Sequence, residues 1–226
     1  RAYSLAYLTA YTCTPPEMIR VASHTGYDYV GMRLWPNAPG AAQQFLIDKP
    51  DVLRETLAAQ KDTDVGVFDI EIIRIGENFD PYIYRPLLDA GAALGAKAVL
   101  VAGDDLDEPR LVANYAKLCE FMQPYGITAD LEFMPWTAVK TANDAVRVVQ
   151  AAGSPSNAGI LVDALHFGRS HTTLADIRAI PRELLHHAQI CDAQSGTDFT
   201  TGELIHTARE ERLLPGEGNI DVRRLF

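Results

Sequence analysis

Five side chains suited to metal binding or proton transfer end or follow short apolar runs of this sequence. They are Glu132, Asp163, His166, Gln189 and Asp192. Acids that point toward a protein interior are costly unless they are paired or bind a metal. Carboxylate and amide oxygens with one His suit Mg²⁺ or Mn²⁺, and zinc also accepts such ligands. The pattern therefore predicts a site for one divalent metal ion (Mn, Mg or Zn) where several strands end.

The alternation of residues along two of these runs places acids on one face. Asp69 shares a face with Glu71, and Asp130 shares a face with Glu132. An isolated strand-end acid caps a helix or pairs with a basic residue more often than it binds a metal. Asp69 and Asp130 are therefore expected to pair with Lys or Arg, whereas the ordered set across three strands favours a functional site.

The apolar runs alternate with helical stretches along the whole chain. The predicted strands are Ser4–Leu8, Tyr27–Leu34, Val65–Ile73, Ala98–Ala102, Thr128–Phe133, Gly159–Asp163 and Ala188–Cys191. Caps and first-turn prolines predict helix starts at Thr14, Asp80, Glu108 and Thr141.

Seven strand–helix units in series fit a closed barrel or an open doubly wound sheet. An open sheet usually carries a glycine-rich phosphate turn after its first strand, and Thr9–Cys13 contains no glycine. We therefore predict an α/β protein with a (β/α)8 TIM-barrel fold, formed by a single domain over residues 1–226. Because such a barrel needs eight strands, the eighth is expected beyond Phe226.

The composition narrows the classes of partner. The 226 residues are 47% hydrophobic and carry a formal net charge of -10. That charge argues against a nucleic-acid partner, and no apolar run reaches the roughly 18 residues of a membrane helix. Three widely spaced cysteines without a CxxC pattern predict a reduced, cytoplasmic location.

Four segments in order resemble the sugar phosphate isomerase/epimerase family of xylose-isomerase-like TIM barrels. The segments are Leu131–Trp136, Leu161–Phe167, Gln189–Asp192 and Arg212–Gly218. By this resemblance Glu132, Asp163 and Gln189 are metal ligands, and a fourth ligand belongs to the eighth strand. His166 resembles a catalytic residue that contacts substrate beside the metal, and Arg212 resembles an arginine that binds substrate oxygens. Glu217 matches a different family position and is not assigned as a ligand.

The resemblance implies a metal-dependent isomerase or epimerase of a keto-sugar or sugar phosphate. Glu132 would then move a proton next to a carbonyl through an enediolate. The alternative is a dehydratase of a keto-cyclitol or 3-dehydroshikimate-like acid. Gln189 favours this alternative, because the epimerases usually have His there. A DNA-repair endonuclease would need more His ligands and a basic face, and a non-catalytic binding barrel also stays open.

Three further side chains are expected at the mouth of the barrel. Arg33 and Arg169 would read a phosphate or carboxylate of the substrate, and Trp136 would wall the pocket. The alternative for the two arginines is solvation or pairing with nearby acids. The expected partner is thus a small carbohydrate or hydroxy-keto acid, and a homodimer is among the expected assemblies.

Overall fold

The computed structural model of the chain describes residues 1–38, 40–41, 43–44 and 46–226. Seven strands are hydrogen-bonded in sequence order in one sheet. They are β1 Ser4–Leu5, β2 Tyr29–Arg33, β3 Gly66–Ile75, β4 Ala98–Gly103, β5 Thr128–Glu132, β6 Ala158–Asp163 and β7 Ala188–Gln189. β1 pairs parallel to β2, β2 to β3, β5 to β6 and β6 to β7. The seven predicted strands are confirmed, with their ends shifted.

Helices follow the strands, as the caps predicted. They are α1 Pro15–Thr25, α2 Pro50–Thr63, α3 Arg85–Leu94, α4 Glu108–Met122, α5 Ala142–Ala151, α6 Ala164–Gly168, α7 Leu174–Ala179, α8 Thr201–Glu210 and α9 Val222–Leu225. Thr14 and Thr141 each form the predicted start, with a reciprocal capping box to Glu17 and Asp144. In the described part of the chain, 3₁₀ turns lie at Tyr7–Thr9, Pro81–Tyr84, Gln123–Tyr125 and Arg182–Leu184.

Two predicted boundaries were wrong for local reasons. The first strand stops at Leu5 instead of Leu8, because the chain turns into the 3₁₀ helix Tyr7–Thr9. The helix predicted after Asp80 begins as the 3₁₀ turn Pro81–Tyr84, and α3 follows it directly. Asp80 does cap that turn, since its carboxylate accepts the Tyr82 N–H at 3.1 Å.

Contacts divide the chain into two compact units. The first comprises Arg1–Ile73, Asp80–Val101 and Glu120–Thr128. Buried residues of β2, β3 and α3 form its core, including Met32, Ile70 and Leu87. The buried Asp69 carboxylate lies so close to Gly31 that a Cβ there would approach it to 2.8 Å.

The second unit comprises Arg74–Phe79, Ala102–Cys119 and Ala129–Phe226. It holds most of β5 and all of β6 and β7, and its interior is lined by residues such as Leu131 and Ile160. The buried Tyr115 hydroxyl of α4 donates to the Ala129 carbonyl of β5 at 2.7 Å. The prediction of a single domain over residues 1–226 stays a prediction.

Within the part of the chain that the structure describes, no helix has both the length and the apolar character needed to cross a membrane.

Candidate metal centre

The ends of β5 and β6 position two buried carboxylates in the second unit. Glu132 is the last residue of β5 and Asp163 the last of β6. The strands are parallel neighbours, with Glu132 in register with Leu161. Both side chains are almost fully buried. Parallel strands bring their carboxyl ends to the same edge, so two acids far apart in sequence meet there.

His166 reaches the same place because α6 begins immediately after Asp163. One Asp163 oxygen, Oδ1, accepts the Leu165 N–H at 2.7 Å and so caps this short helix. His166 Nε2 then lies 3.6 Å from Glu132 Oε1 and 3.9 Å from Asp163 Oδ2. By capping α6, Asp163 thus fixes the position of its own carboxylate and of the helix that carries His166.

The three side chains fit a metal ion by chemistry and by spacing. One donor atom from each lies within 4.8 Å of the other two. Donors about 2.1 Å from one ion are up to about 4.2 Å apart, so small side-chain movements would complete such a site. His166 Nδ1 is buried and has no hydrogen-bond partner among the described residues. Within those residues, no hydrogen bond to this nitrogen fixes the tautomer of the ring.

Burial and one arginine set the charges of this cluster. Burial lowers the pKa of His166 to about 4, against the opposing effect of the Asp163 carboxylate. The ring is therefore neutral near pH 7, the form that binds metals. Burial works to raise the pKa of Asp163, but the Arg212 cation, the His166 ring and the Leu165 N–H together outweigh it and hold that pKa below its usual value. Asp163 is consequently ionised at neutral pH.

Arg212 is hydrogen-bonded to three other residues of the chain. Its NH1 donates to Asp163 Oδ2 at 2.7 Å and to Cys191 Sγ at 3.2 Å, and its Nε donates to the Ala208 carbonyl at 2.8 Å. The Cys191 thiol in turn lies 3.9 Å from Asp163 Oδ1. Burial is the main reason why the pKa of Cys191 rises to about 11, so this thiol is protonated. The substrate contact expected of Arg212 stays a prediction.

Gln189 lies beside Asp163 in the sheet. The two are register partners of β7 and β6, and Gln189 is half-buried. Register partners on neighbouring strands share a face, so this position is compatible with the predicted role of ligand. The role itself stays a prediction.

Trp136 contacts the cluster, whereas Asp192 is hydrogen-bonded to the backbone of a loop. The Trp136 ring meets the His166 ring edge-on, with centroids 5.0 Å apart at 83°. Asp192 accepts the backbone N–H groups of Ala193, Gly216 and Ile220 at 2.8, 2.9 and 3.1 Å. It therefore orders the Pro-Gly-Glu-Gly loop. Glu217 of that loop is exposed, and its omission from the ligands stays a prediction.

Comparisons with known proteins identify the family of this chain. The family model described as "Xylose isomerase-like TIM barrel" matches residues 19–226. The chain belongs to this family. The TIM-barrel prediction and the family resemblance are thereby confirmed. A comparison with curated proteins finds no match.

Solved structures show the same fold at low identity. A xylose isomerase-like TIM barrel/4-hydroxyphenylpyruvate dioxygenase fusion protein is 21% identical with a TM-score of 0.76; the match covers 98% of this chain and 35% of that one. This chain thus spans about a third of the fusion protein. The IOLI protein, solved with a zinc atom bound, is 20% identical with a TM-score of 0.76, covering 99% and 82% of the two chains.

Two further proteins of similar structure are named for different reactions. The probable 3-DHS dehydratase AsbF from Bacillus anthracis is 15% identical with a TM-score of 0.73, over 92% of this chain and 77% of that one. D-allulose 3-epimerase from Methylomonas sp., in complex with D-allulose, is 15% identical with a TM-score of 0.70, over 99% and 77%. The fold therefore carries both an epimerase and a probable dehydratase.

The two arginines predicted at the mouth have different surroundings in this family member. Arg33, in the first unit, donates from Nε and NH2 to Glu71 Oε2 at 2.9 and 2.7 Å and stacks on the Tyr7 ring. This is the pairing given above as the alternative. Arg169, in the second unit, is buried and lies over the Phe199 ring. Their substrate roles stay predictions.

Asp130 was expected to pair with Lys or Arg, and that expectation was wrong. Its oxygens are instead 2.7 Å from His186 Nδ1 and 2.9 Å from His187 Nδ1. Gly159 makes this possible, because a Cβ there would collide with Asp130 and His186. The two adjacent histidines before β7 were a signal in the sequence, but nothing in their spacing pointed to Asp130.

Proposed function

We propose that this family member is a divalent-metal-dependent isomerase or epimerase of a keto-sugar or sugar phosphate. The observation that supports it most is the buried cluster of Glu132, Asp163 and His166, in which one donor atom of each side chain lies within 4.8 Å of the other two. Glu132, Asp163 and Gln189 would hold the ion. When bound, the ion would polarise a carbonyl or hydroxyl oxygen of the substrate.

The chain's own side chains would carry the proton. Glu132 takes the proton from the carbon next to the carbonyl, as a buried carboxylate beside the reacting carbon can. His166 is neutral near pH 7 and can donate a hydrogen bond to a substrate oxygen without adding a positive charge. Trp136 packs on that ring and excludes water from it.

Asp163 would keep its place through two fixed contacts. The Leu165 N–H holds one of its oxygens and Arg212 the other. Such outer contacts orient a ligand and keep it ionised. Arg212 would therefore act first as a positioning residue for Asp163.

A dehydratase of a keto-cyclitol or 3-dehydroshikimate-like acid is the second candidate. Gln189 in place of a His and the likeness to a probable 3-DHS dehydratase favour it. The same proton removal, followed by loss of a β-hydroxyl, would give a conjugated enone.

Proton exchange tests the proposal. The protein is incubated with Mn²⁺ in D₂O with keto-sugars, sugar phosphates and hydroxy-keto acids, and products are followed by NMR and ultraviolet absorbance. Deuterium at the carbon next to the carbonyl, with an altered sugar, supports the isomerase; new enone absorbance supports the dehydratase. If neither appears with any substrate while the metal is bound, both candidates are wrong. The Glu132→Gln variant is the control that should show no exchange.

A further inference from the structure

Arg169 differs from the other buried or half-buried arginines of the chain in what surrounds it. Its backbone N–H caps the C-terminal end of α6 by donating to the Leu165 carbonyl at 2.9 Å, and the residue is only 6% exposed. Its guanidinium carbon lies 3.5 Å from the centroid of the Phe199 ring. A flat guanidinium on an aromatic face keeps its N–H groups in the plane, directed away from the ring.

Two nitrogens of this guanidinium lack acceptors within the described residues. Arg169 Nε and NH1 are both buried without a hydrogen-bond partner there. Carboxylates lie within 3 Å of six other arginines, namely Arg33, Arg54, Arg74, Arg110, Arg147 and Arg212. A buried cation without an acceptor is costly, so its retention calls for an anion that completes it.

The charge around Arg169 does not supply that anion by contact. Burial is the main influence and lowers the pKa of Arg169, while Glu203 and Glu211 oppose it from a distance. Glu203 is already used at the start of α8, where it accepts from the Thr200 hydroxyl at 2.7 Å. The guanidinium remains charged, because even a lowered arginine pKa stays far above neutrality.

Its position relates Arg169 to the candidate centre. His166 lies within α6, and Arg169 is the residue that directly follows α6, three positions further along the chain. The loop that carries Phe199 is tied to the same helix end, since the Gly196 N–H donates to the Gly168 carbonyl at 2.9 Å. The C-terminal end of α6 therefore carries both His166 and the guanidinium of Arg169.

We propose that Arg169, stacked on Phe199, binds an oxyanionic group of the substrate, a phosphate or a carboxylate. This inference rests on the proposed function for the identity of the ligand as substrate. It narrows that function from sugars in general to sugar phosphates or hydroxy-keto acids. The desolvated guanidinium on the Phe199 ring provides charged Nε–H and NH1 donors for oxygens of such an anion.

Titration of the metal-free protein with inorganic phosphate and with acetate tests the inference. The Arg169 Nε–H resonance is followed by NMR, and affinities are measured by calorimetry. We expect one or both anions to bind and to shift that resonance. Binding should weaken about tenfold or more in Arg169→Gln, as expected for the loss of a charged hydrogen bond. It should be unchanged in Arg209→Gln, which removes the same charge from an exposed position of α8.

The outcomes separate this inference from the proposed function. Phosphate binding alone supports a sugar phosphate, and acetate binding alone supports a hydroxy-keto acid. If neither anion shifts the resonance of the wild-type protein, the inference is overturned, and a metal titration decides the proposed function separately. Equal anion affinity in Arg169→Gln would also overturn it. If that variant fails to fold, two other measurements decide whether Arg169 binds the anion. They are the shift of the wild-type resonance and the anion affinity of Arg169→Lys, which keeps the charge but loses the planar donors.

Discussion

Two buried carboxylates of β5, only two residues apart, have opposite surroundings. Asp130 is hydrogen-bonded at 2.7 and 2.9 Å to two histidines, one on each oxygen. Glu132 and Asp163 face His166 at 3.6 and 3.9 Å, too far for hydrogen bonds. Asp130 and its two histidines thus form a closed cluster, held by hydrogen bonds among its own members. Glu132, Asp163 and His166 form an open cluster, in which the two carboxylates lie 3.6 and 3.9 Å from the histidine.

The histidines show the same difference electrostatically. The hydrogen bond to Asp130 is the main reason why the pKa of His186 is raised above its usual value. Burial instead lowers the pKa of His166 to about 4. The two histidines thus differ in the direction of their pKa shifts, with His186 shifted toward the charged form and His166 toward the neutral form. Buried acids two residues apart in one strand can therefore have different partners, which are hydrogen-bonded histidines at Asp130 and a more distant histidine at Glu132.

The largest expected effect is loss of activity in the open cluster. Glu132→Gln should lower turnover about a thousandfold, since it removes both a ligand and the general base. Steady-state kinetics with the substrate identified by proton exchange measures it. The exposed Glu217→Gln is the matched control, and turnover within threefold of wild type in Glu132→Gln would contradict the assignment.

Next in size is a loss of stability in the closed cluster. Asp130→Asn should lower the free energy of unfolding by about 3 kcal/mol, because it removes the charged partner of two buried or half-buried histidines. Urea unfolding followed by circular dichroism measures this change. The exposed Asp62→Asn serves as control. A loss no larger than that of the control would show that the Asp130 contacts are not stabilising.

Arg212→Gln should destabilise the metal-free protein by about 2 kcal/mol, because Asp163 loses its cation in a buried setting. The arginine side chain is 21% exposed, which keeps the loss below that of a fully buried pair. Adding metal should recover much of the loss, since an ion would compensate Asp163 instead. Thermal unfolding with and without Mn²⁺ measures both. If Arg212→Gln loses as much stability with Mn²⁺ as without it, Arg212 and the ion do not both interact with Asp163.

The smallest effect is a pH dependence of the closed cluster. The folded-state pKa of His186 lies above its ordinary 6.5. Its stabilising contribution, about 1 kcal/mol for a partly exposed charged hydrogen bond, is therefore complete below pH 6.5 and fades as pH rises through the raised value. The difference in unfolding free energy between wild type and His186→Gln, measured from pH 5.5 to 9, should shrink with rising pH. A difference that is constant or grows would contradict the charged pairing.

The sequence predicted the open cluster better than the closed one. Glu132, Asp163 and His166 could be predicted because residues at the carboxyl ends of parallel strands meet at one edge. The caps at Thr14 and Thr141 could also be predicted, since they depend only on neighbours in sequence.

What escaped prediction depends on contacts between distant residues. Asp130 meets His186 and His187 only because Gly159 leaves space between them. The contacts of Arg212 with Asp163 and Cys191, and the burial of Arg169 on Phe199, likewise need the packed fold. Periodicity assigns a residue to a face, but it does not say which donor will reach that residue.

We propose that the Glu132 cluster binds a divalent ion and that the Asp130 cluster does not. Calorimetric titration of the metal-free protein with Mn²⁺ and with Zn²⁺ tests it most directly, in wild type, Glu132→Gln and Asp130→Asn. We expect one ion per chain in wild type, affinity lowered at least about tenfold in Glu132→Gln, and affinity near wild type in folded Asp130→Asn. Absence of binding in wild type, or equal binding in Glu132→Gln, would contradict the account.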